Sequence, residues 1–124
     1  MPFVAVVDDE EAVRKALKRL LRAAGLEAEG FATGEEFFQS ARRADCVLLD
    51  LHMPKMSGLQ VLERIRALAR RLPVVVITAH DQPETREQCL AAGAVAYLRK
   101  PLDDRLLLNA ISAALSKPAP YLPR

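Results

Sequence analysis

Five short strand-like segments, each followed by a helical pattern, constrain the fold of this chain more than any other feature of it. Four are unbroken apolar runs: Phe3 to Val7, Cys46 to Leu49, Val74 to Ile77 and Ala94 to Leu98. They lack in-and-out alternation, the pattern of strands buried on both faces. A weaker strand is predicted at about Glu27 to Phe31. Between the runs, Val13, Ala16, Leu17, Leu20, Leu21 and Ala24 recur at the i, i+3, i+4, i+7 spacing of one helix face, and Gly25 supplies the stop. Thr33 and Glu36 have the spacing of a capping box for a second helix. Ser57 and Gln60 repeat that logic for a third, which carries Leu62, Ile65 and Ala69 inward. Pro83 suits the first turn of a fourth helix that Gly93 ends, and Asp103-Asp104 opens a fifth. Strict alternation of this kind requires crossover connections, so an α/β fold is predicted, with parallel strands and helices on both faces of the sheet.

A chain of 124 residues, 51% of them hydrophobic, has room for one domain with its own core and no second domain. We place that domain at residues 1–116 and read residues 117–124, which carry three prolines and no periodicity, as an extended tail or the start of a linker. Eighteen basic against sixteen acidic residues is too even a balance for a surface built to hold nucleic acid or anionic lipid. No apolar run reaches the roughly 20 residues that span a bilayer, and the acidic start lacks the pattern of a signal peptide, so a cytoplasmic location without membrane contact is expected. Cys46 and Cys89 have no neighbouring Cys or His cluster and read as small buried residues.

Parallel strands all point one way, so the residues at their ends collect along one sheet edge, where ligands bind in such folds. Here that edge gathers Asp8, Asp9 and Glu10 after the first strand, Asp50 after the third, Thr78 after the fourth and Lys100-Pro101 after the fifth. An acidic residue at a strand end is often only a helix cap. Four strand ends carrying an Asp pair, an Asp, a Thr and a Lys point instead to chemistry. Crowded carboxylates repel by roughly 4 kcal/mol per pair at about 4 Å near a surface, so positive charge must sit among them. Lys100 supplies one such charge, and a hard divalent cation that shares its shell with phosphate supplies the rest. Asp50, fixed by the apolar Val47-Leu48-Leu49, is the best-placed nucleophile and would form an acyl phosphate. The chain has no GxxxxGK(S/T) loop, and no GxGxxG follows the first strand.

These residues lie in stretches that strongly resemble the receiver domain of bacterial two-component response regulators, above all receivers of transcription regulators. The likeness runs from Val4 to about Leu115 and is carried by VVDDEEAVRKALKRLLRAAG, VLLDLHMPKMSGLQVLERI, PVVVITAH and AGAVAYLRKPLDD. It implies a flavodoxin-like (βα)5 fold with strand order 2-1-3-4-5, and a switch that catalyses only its own phosphorylation and dephosphorylation. Asp50 would accept phosphate from a sensor histidine kinase or a histidine phosphotransfer protein. Asp8, Asp9, Asp50 and the backbone carbonyl of His52 would hold Mg2+, or Mn2+ in its place. Lys100 would contact the phosphoryl oxygens, Thr78 would donate its hydroxyl to them, and Tyr97 would be the aromatic switch that turns inward. The fourth helix, fifth strand and fifth helix would form a face for homodimerisation or output, which Leu106-Leu107-Leu108, Arg99, Asp103, Asp104 and Arg105 suit. The Lys100-Pro101 bond would be cis, and Gly58 would permit a tight turn into the third helix.

His52 and His80 flank the site and read as solvent-exposed or as modulators of the phosphate's lifetime. Arg14, Lys15, Lys18 and Arg22 form a basic face of the first helix, either simply solvated or docking an acidic kinase surface. The competing reading is a Mg2+-dependent phosphatase or phosphotransferase acting on small molecules through Asp50, but no insertion is long enough to build a substrate cap.

Overall fold

The computed structural model describes residues 1–40, 42–68 and 70–116, so Ala69 and the expected tail at 117–124 lie outside the described residues. Strands β1 (Phe3–Val7), β2 (Glu27–Phe31), β3 (Cys46–Asp50), β4 (Val74–Thr78) and β5 (Ala96–Arg99) alternate with helices α1 (Glu11–Ala23), α2 (Gly34–Gln39), α3 (Gly58–Arg66), α4 (Pro83–Ala91) and α5 (Asp104–Ser116). All neighbouring strands pair in parallel, in the order β2-β1-β3-β4-β5.

Every residue of β1, β3 and β4 is buried, which is why their sequences do not alternate. Successive side chains still point to opposite faces. Ala5, Val7, Val47, Leu49 and Val76 meet Phe37, Val61, Leu62 and Ile65 of α2 and α3 on one side. Val4, Val6, Leu48, Val75 and Ile77 meet Leu17 and Leu21 of α1 and Leu107 and Ile111 of α5 on the other. β2 was the weakest strand in sequence because it lies at the sheet edge and buries only Ala28 and Phe31.

Helix ends follow the chemistry read from sequence. Ser57 and Gln60 form a complete capping box on α3. Thr33 caps α2 through the Glu36 amide, but the Glu36 carboxylate accepts from Ala32 rather than from Thr33, so the box closes one residue early. Asp103 caps α5 by accepting from the Leu106 amide at 3.1 Å. Gly25 and Gly93 take φ of +88° and +107° just past α1 and α4, a backbone region open to glycine.

Two expectations need correction. β5 starts at Ala96 and not Ala94, because the Ala94 amide is spent on the Cys89 carbonyl in closing α4. Ala16 and Ala24, expected inward on α1, are exposed. Gly58 opens α3. Glycine is needed there because a Cβ would stand 2.5 Å from both the Asp50 carbonyl oxygen and the Leu51 Cα, so the start of α3 lies directly against the end of β3.

Candidate functional site

The C-terminal sheet edge brings together Asp8, Asp9, Asp50, Thr78 and Lys100 from four strand ends. Asp8 follows β1 and is fully buried, its amide donating to the Phe31 carbonyl at 3.0 Å. Its Oδ1 accepts from the Glu10 amide at 2.9 Å, and its carbonyl accepts from Arg14 Nη1 at 2.7 Å. Asp50 closes β3 with its side chain only 5% exposed. Asp9 is exposed. One carboxylate oxygen from each of these three aspartates falls within 4.8 Å of the others.

Lys100 is the counter-charge. Its Nζ lies 3.0 Å from Asp8 Oδ2, 3.6 Å from Asp50 Oδ1 and 3.7 Å from Glu10 Oε1. The bond to Pro101 is cis, and the Lys100 amide donates to the Thr78 carbonyl at 2.7 Å. Burial pulls the pKa of this ammonium down, but the hydrogen bond to Asp8 and the charges of Asp50, Asp8 and Glu10 outweigh it, so the net shift is upward. Asp50 shows the opposite strain. Burial and the neighbouring Asp8 raise its pKa to about 6, against the pull of Lys100 and the His52 backbone. One ammonium does not neutralise three carboxylates, and three hard oxygen donors so placed fit a small divalent cation.

Thr78 is fully buried, and its Oγ1 accepts from the His80 amide at 3.0 Å, which leaves the hydroxyl proton free to be donated elsewhere. Tyr97, 9% exposed, already points inward, with its hydroxyl enclosed and without a hydrogen-bond partner among the described residues. Burial, with the Asp81 carboxylate beside it, pushes the pKa of that phenol up. His52 and His80 are both exposed, and their rings meet edge to face with centroids 4.5 Å apart. Burial pushes the Cys46 thiol up to about 12, which suits a packing role.

A family model described as the response regulator receiver domain matches residues 4–112. The chain belongs to that family. This receiver domain is 37% identical over 114 residues to the response regulator protein TodT of Pseudomonas putida, a match covering 90% of the chain and 50% of the relative. It is 32% identical over 118 residues to the transcriptional regulatory protein FixJ of Azorhizobium caulinodans, covering 94% of the chain and 56% of the relative. The chain thus spans about half the length of these curated relatives. Among solved structures, a response regulator receiver protein from Burkholderia phymatum is 44% identical with a TM-score of 0.83, over 98% of this chain and 100% of that one. The response regulator StyR is 40% identical with a TM-score of 0.84, over 92% of this chain and 59% of that one.

Sequence reasoning missed two contributors to the receiver's site. Glu10 was noted only as following the Asp pair, yet it reaches Lys100. Arg14 was assigned to the basic face of α1, but its guanidinium is tied to the Asp8 carbonyl, as that of Arg22 is to the Ala28 carbonyl. Arg14 lies in the first turn of α1, six residues after Asp8, and that placement was the available signal.

Proposed function

We propose that this domain is a phosphorylation switch whose input is Asp50. The observation that carries the reading is a buried carboxylate, its pKa raised to about 6, held between two further carboxylates and an ammonium 3.6 Å away. An Asp50 oxygen attacks the phosphorus of a phosphohistidine on a kinase or phosphotransfer protein. The P–N bond breaks, the imidazole leaves, and an acyl phosphate remains on Asp50. Mg2+, or Mn2+, held by Asp8, Asp9, Asp50 and the His52 carbonyl, would when bound neutralise charge on the carboxylates and the phosphoryl oxygens. Lys100 exchanges its contact with Asp50 for the phosphoryl group, and water later hydrolyses the anhydride, with the exposed His52 and His80 beside its path.

The new dianion draws the Thr78 hydroxyl toward it, and the space vacated favours the inward Tyr97 seen here. The surface that would read this out is α4, β5 and α5, where Leu90 and Leu106 are exposed and Arg99 pairs with Asp81. A homodimer or an output domain would dock there, and the transcription regulators among the relatives favour a DNA-binding output. The donor protein would approach the apolar groove of α1 and the loop before α5, lined by Ala12, Val13, Leu20, Pro101 and Leu102 next to Lys100. We place the receiver at residues 1–116 of a cytoplasmic protein.

Incubation with acetyl phosphate and Mg2+ followed by intact mass tests the reading. One phosphate adduct is expected, and it should be absent from Asp50→Asn and from samples with chelator. Adduct formation undiminished in Asp50→Asn would sink the proposal.

A further inference from the structure

At the end of the sheet opposite Asp50, the C-terminus of α3, the loop that follows it and the loop after α4 enclose a half-open pocket of about 350 Å3. That is the size of pockets that hold small molecules, roughly 300–1,000 Å3. Leu68, Pro73 and Val95 form an apolar wall, and three guanidinium groups, Arg66, Arg70 and Arg71, stand around it. Arg66 Nη1 donates to the Ala91 carbonyl at 3.1 Å and Arg70 Nη1 to the Ala44 carbonyl at 2.9 Å, which fixes both groups while leaving other N–H donors on each. Arg71 is exposed and makes no hydrogen bond or ion pair among the described residues. Leu68 is a large hydrophobic that is 42% exposed.

Among the described residues, no carboxylate lines this pocket. Burial and the like charge of Arg43 lower the pKa of Arg70, against a smaller pull from Asp45, so an anion placed there would relieve cation crowding. Planar guanidinium forks match a carboxylate in two parallel hydrogen bonds, and an apolar wall beside them rewards a hydrocarbon body over a bare ion.

We infer that this pocket is a second ligand site, separate from the phosphorylation site, for a small organic carboxylate with an apolar body, held by Arg71 and Arg66 and seated against Leu68, Pro73 and Val95. The apolar wall favours such a ligand over inorganic phosphate, and the guanidinium rim favours it over a neutral hydrocarbon.

Amide spectra of the full chain titrated separately with benzoate, inorganic phosphate and benzyl alcohol test this. Benzoate should give saturable shifts centred on Leu68, Arg71 and Val95, with phosphate and benzyl alcohol binding at least about tenfold more weakly. Arg71→Ala, an exposed substitution, should weaken benzoate about tenfold while phosphorylation at Asp50 by acetyl phosphate is unchanged. Leu68→Asp should abolish the shifts in a protein that is still phosphorylated. The inference is overturned if benzoate gives no saturable shift, if phosphate titrates alike, if the shifts centre on Lys100, or if Arg71→Ala binds benzoate as before.

Discussion

Asp50 is destabilising as an ion in the metal-free protein. Its carboxyl has a pKa of about 6 in the fold against an ordinary 3.8. Between those values the unfolded chain has released a proton that the folded chain retains, so stability falls as pH rises from about 4 to about 6, and the full cost stands at neutral pH. A shift of about two units corresponds to roughly 3 kcal/mol. Without divalent metal at about pH 7.5, Asp50→Asn should therefore be more stable than the parent by about 1–3 kcal/mol, the gap closing near pH 4. Mg2+ should narrow the gap at the higher pH by stabilising the parent. Urea melts of both proteins, with chelator and with Mg2+, check this, and an Asn variant less stable than the parent at the higher pH would contradict it. The aspartates and Lys100 could be found in sequence because parallel strands deliver their ends to one edge. The reason for Gly58 could not, since the Asp50 carbonyl that forbids its Cβ meets it only after β3 and α3 have packed.

At the scale of elements, burial divides the helices. α3 buries Gly58, Val61, Leu62 and Ile65, whereas α4, of equal length, buries Cys89 alone. α4 also has no side-chain hydrogen bond at its N-cap, Gln82. Few buried apolar contacts mean a low free energy of local opening. Amide hydrogen exchange in α4 should accordingly be faster than in α1, α3 or α5, by a factor of at least about ten. It should slow when acetyl phosphate and Mg2+ are added, because the loop leading into α4 carries the residues after Thr78. Exchange in α4 as slow as in α3 would contradict this reading. The sequence pointed to every helix, by periodicity for α1 and α3 and by end residues for α2, α4 and α5. It misjudged Ala16 and Ala24 because a small apolar residue sits as readily at the edge of a helix stripe as at its centre, and it misplaced the start of β5 because Ala94 and Val95 are apolar whether they extend a strand or close a helix.

For the whole molecule, the even charge of +2 conceals segregation. Asp8, Asp9, Glu10 and Asp50 cluster at one end of the sheet, while Arg42, Arg43, Arg66, Arg70 and Arg71 lie at the other, where Arg42 pairs with Glu27. Composition cannot show this, since it depends on which loops share an end. In the proposed switch the acidic end would attract a divalent cation and, through it, a phosphoryl group; the fold between the ends keeps strand ends in register, so that a charge change at Asp50 would reach Thr78 and Tyr97. Acceptance of phosphate by Asp50 is the claim on which the rest depends. Borohydride reduction of the protein after treatment with acetyl phosphate and Mg2+, followed by peptide mass analysis, tests it most directly, because an aspartyl phosphate is reduced to homoserine. Conversion is expected at residue 50 and at no other aspartate; conversion at Asp8 or Asp9, or none in a protein that binds Mg2+, would contradict the account.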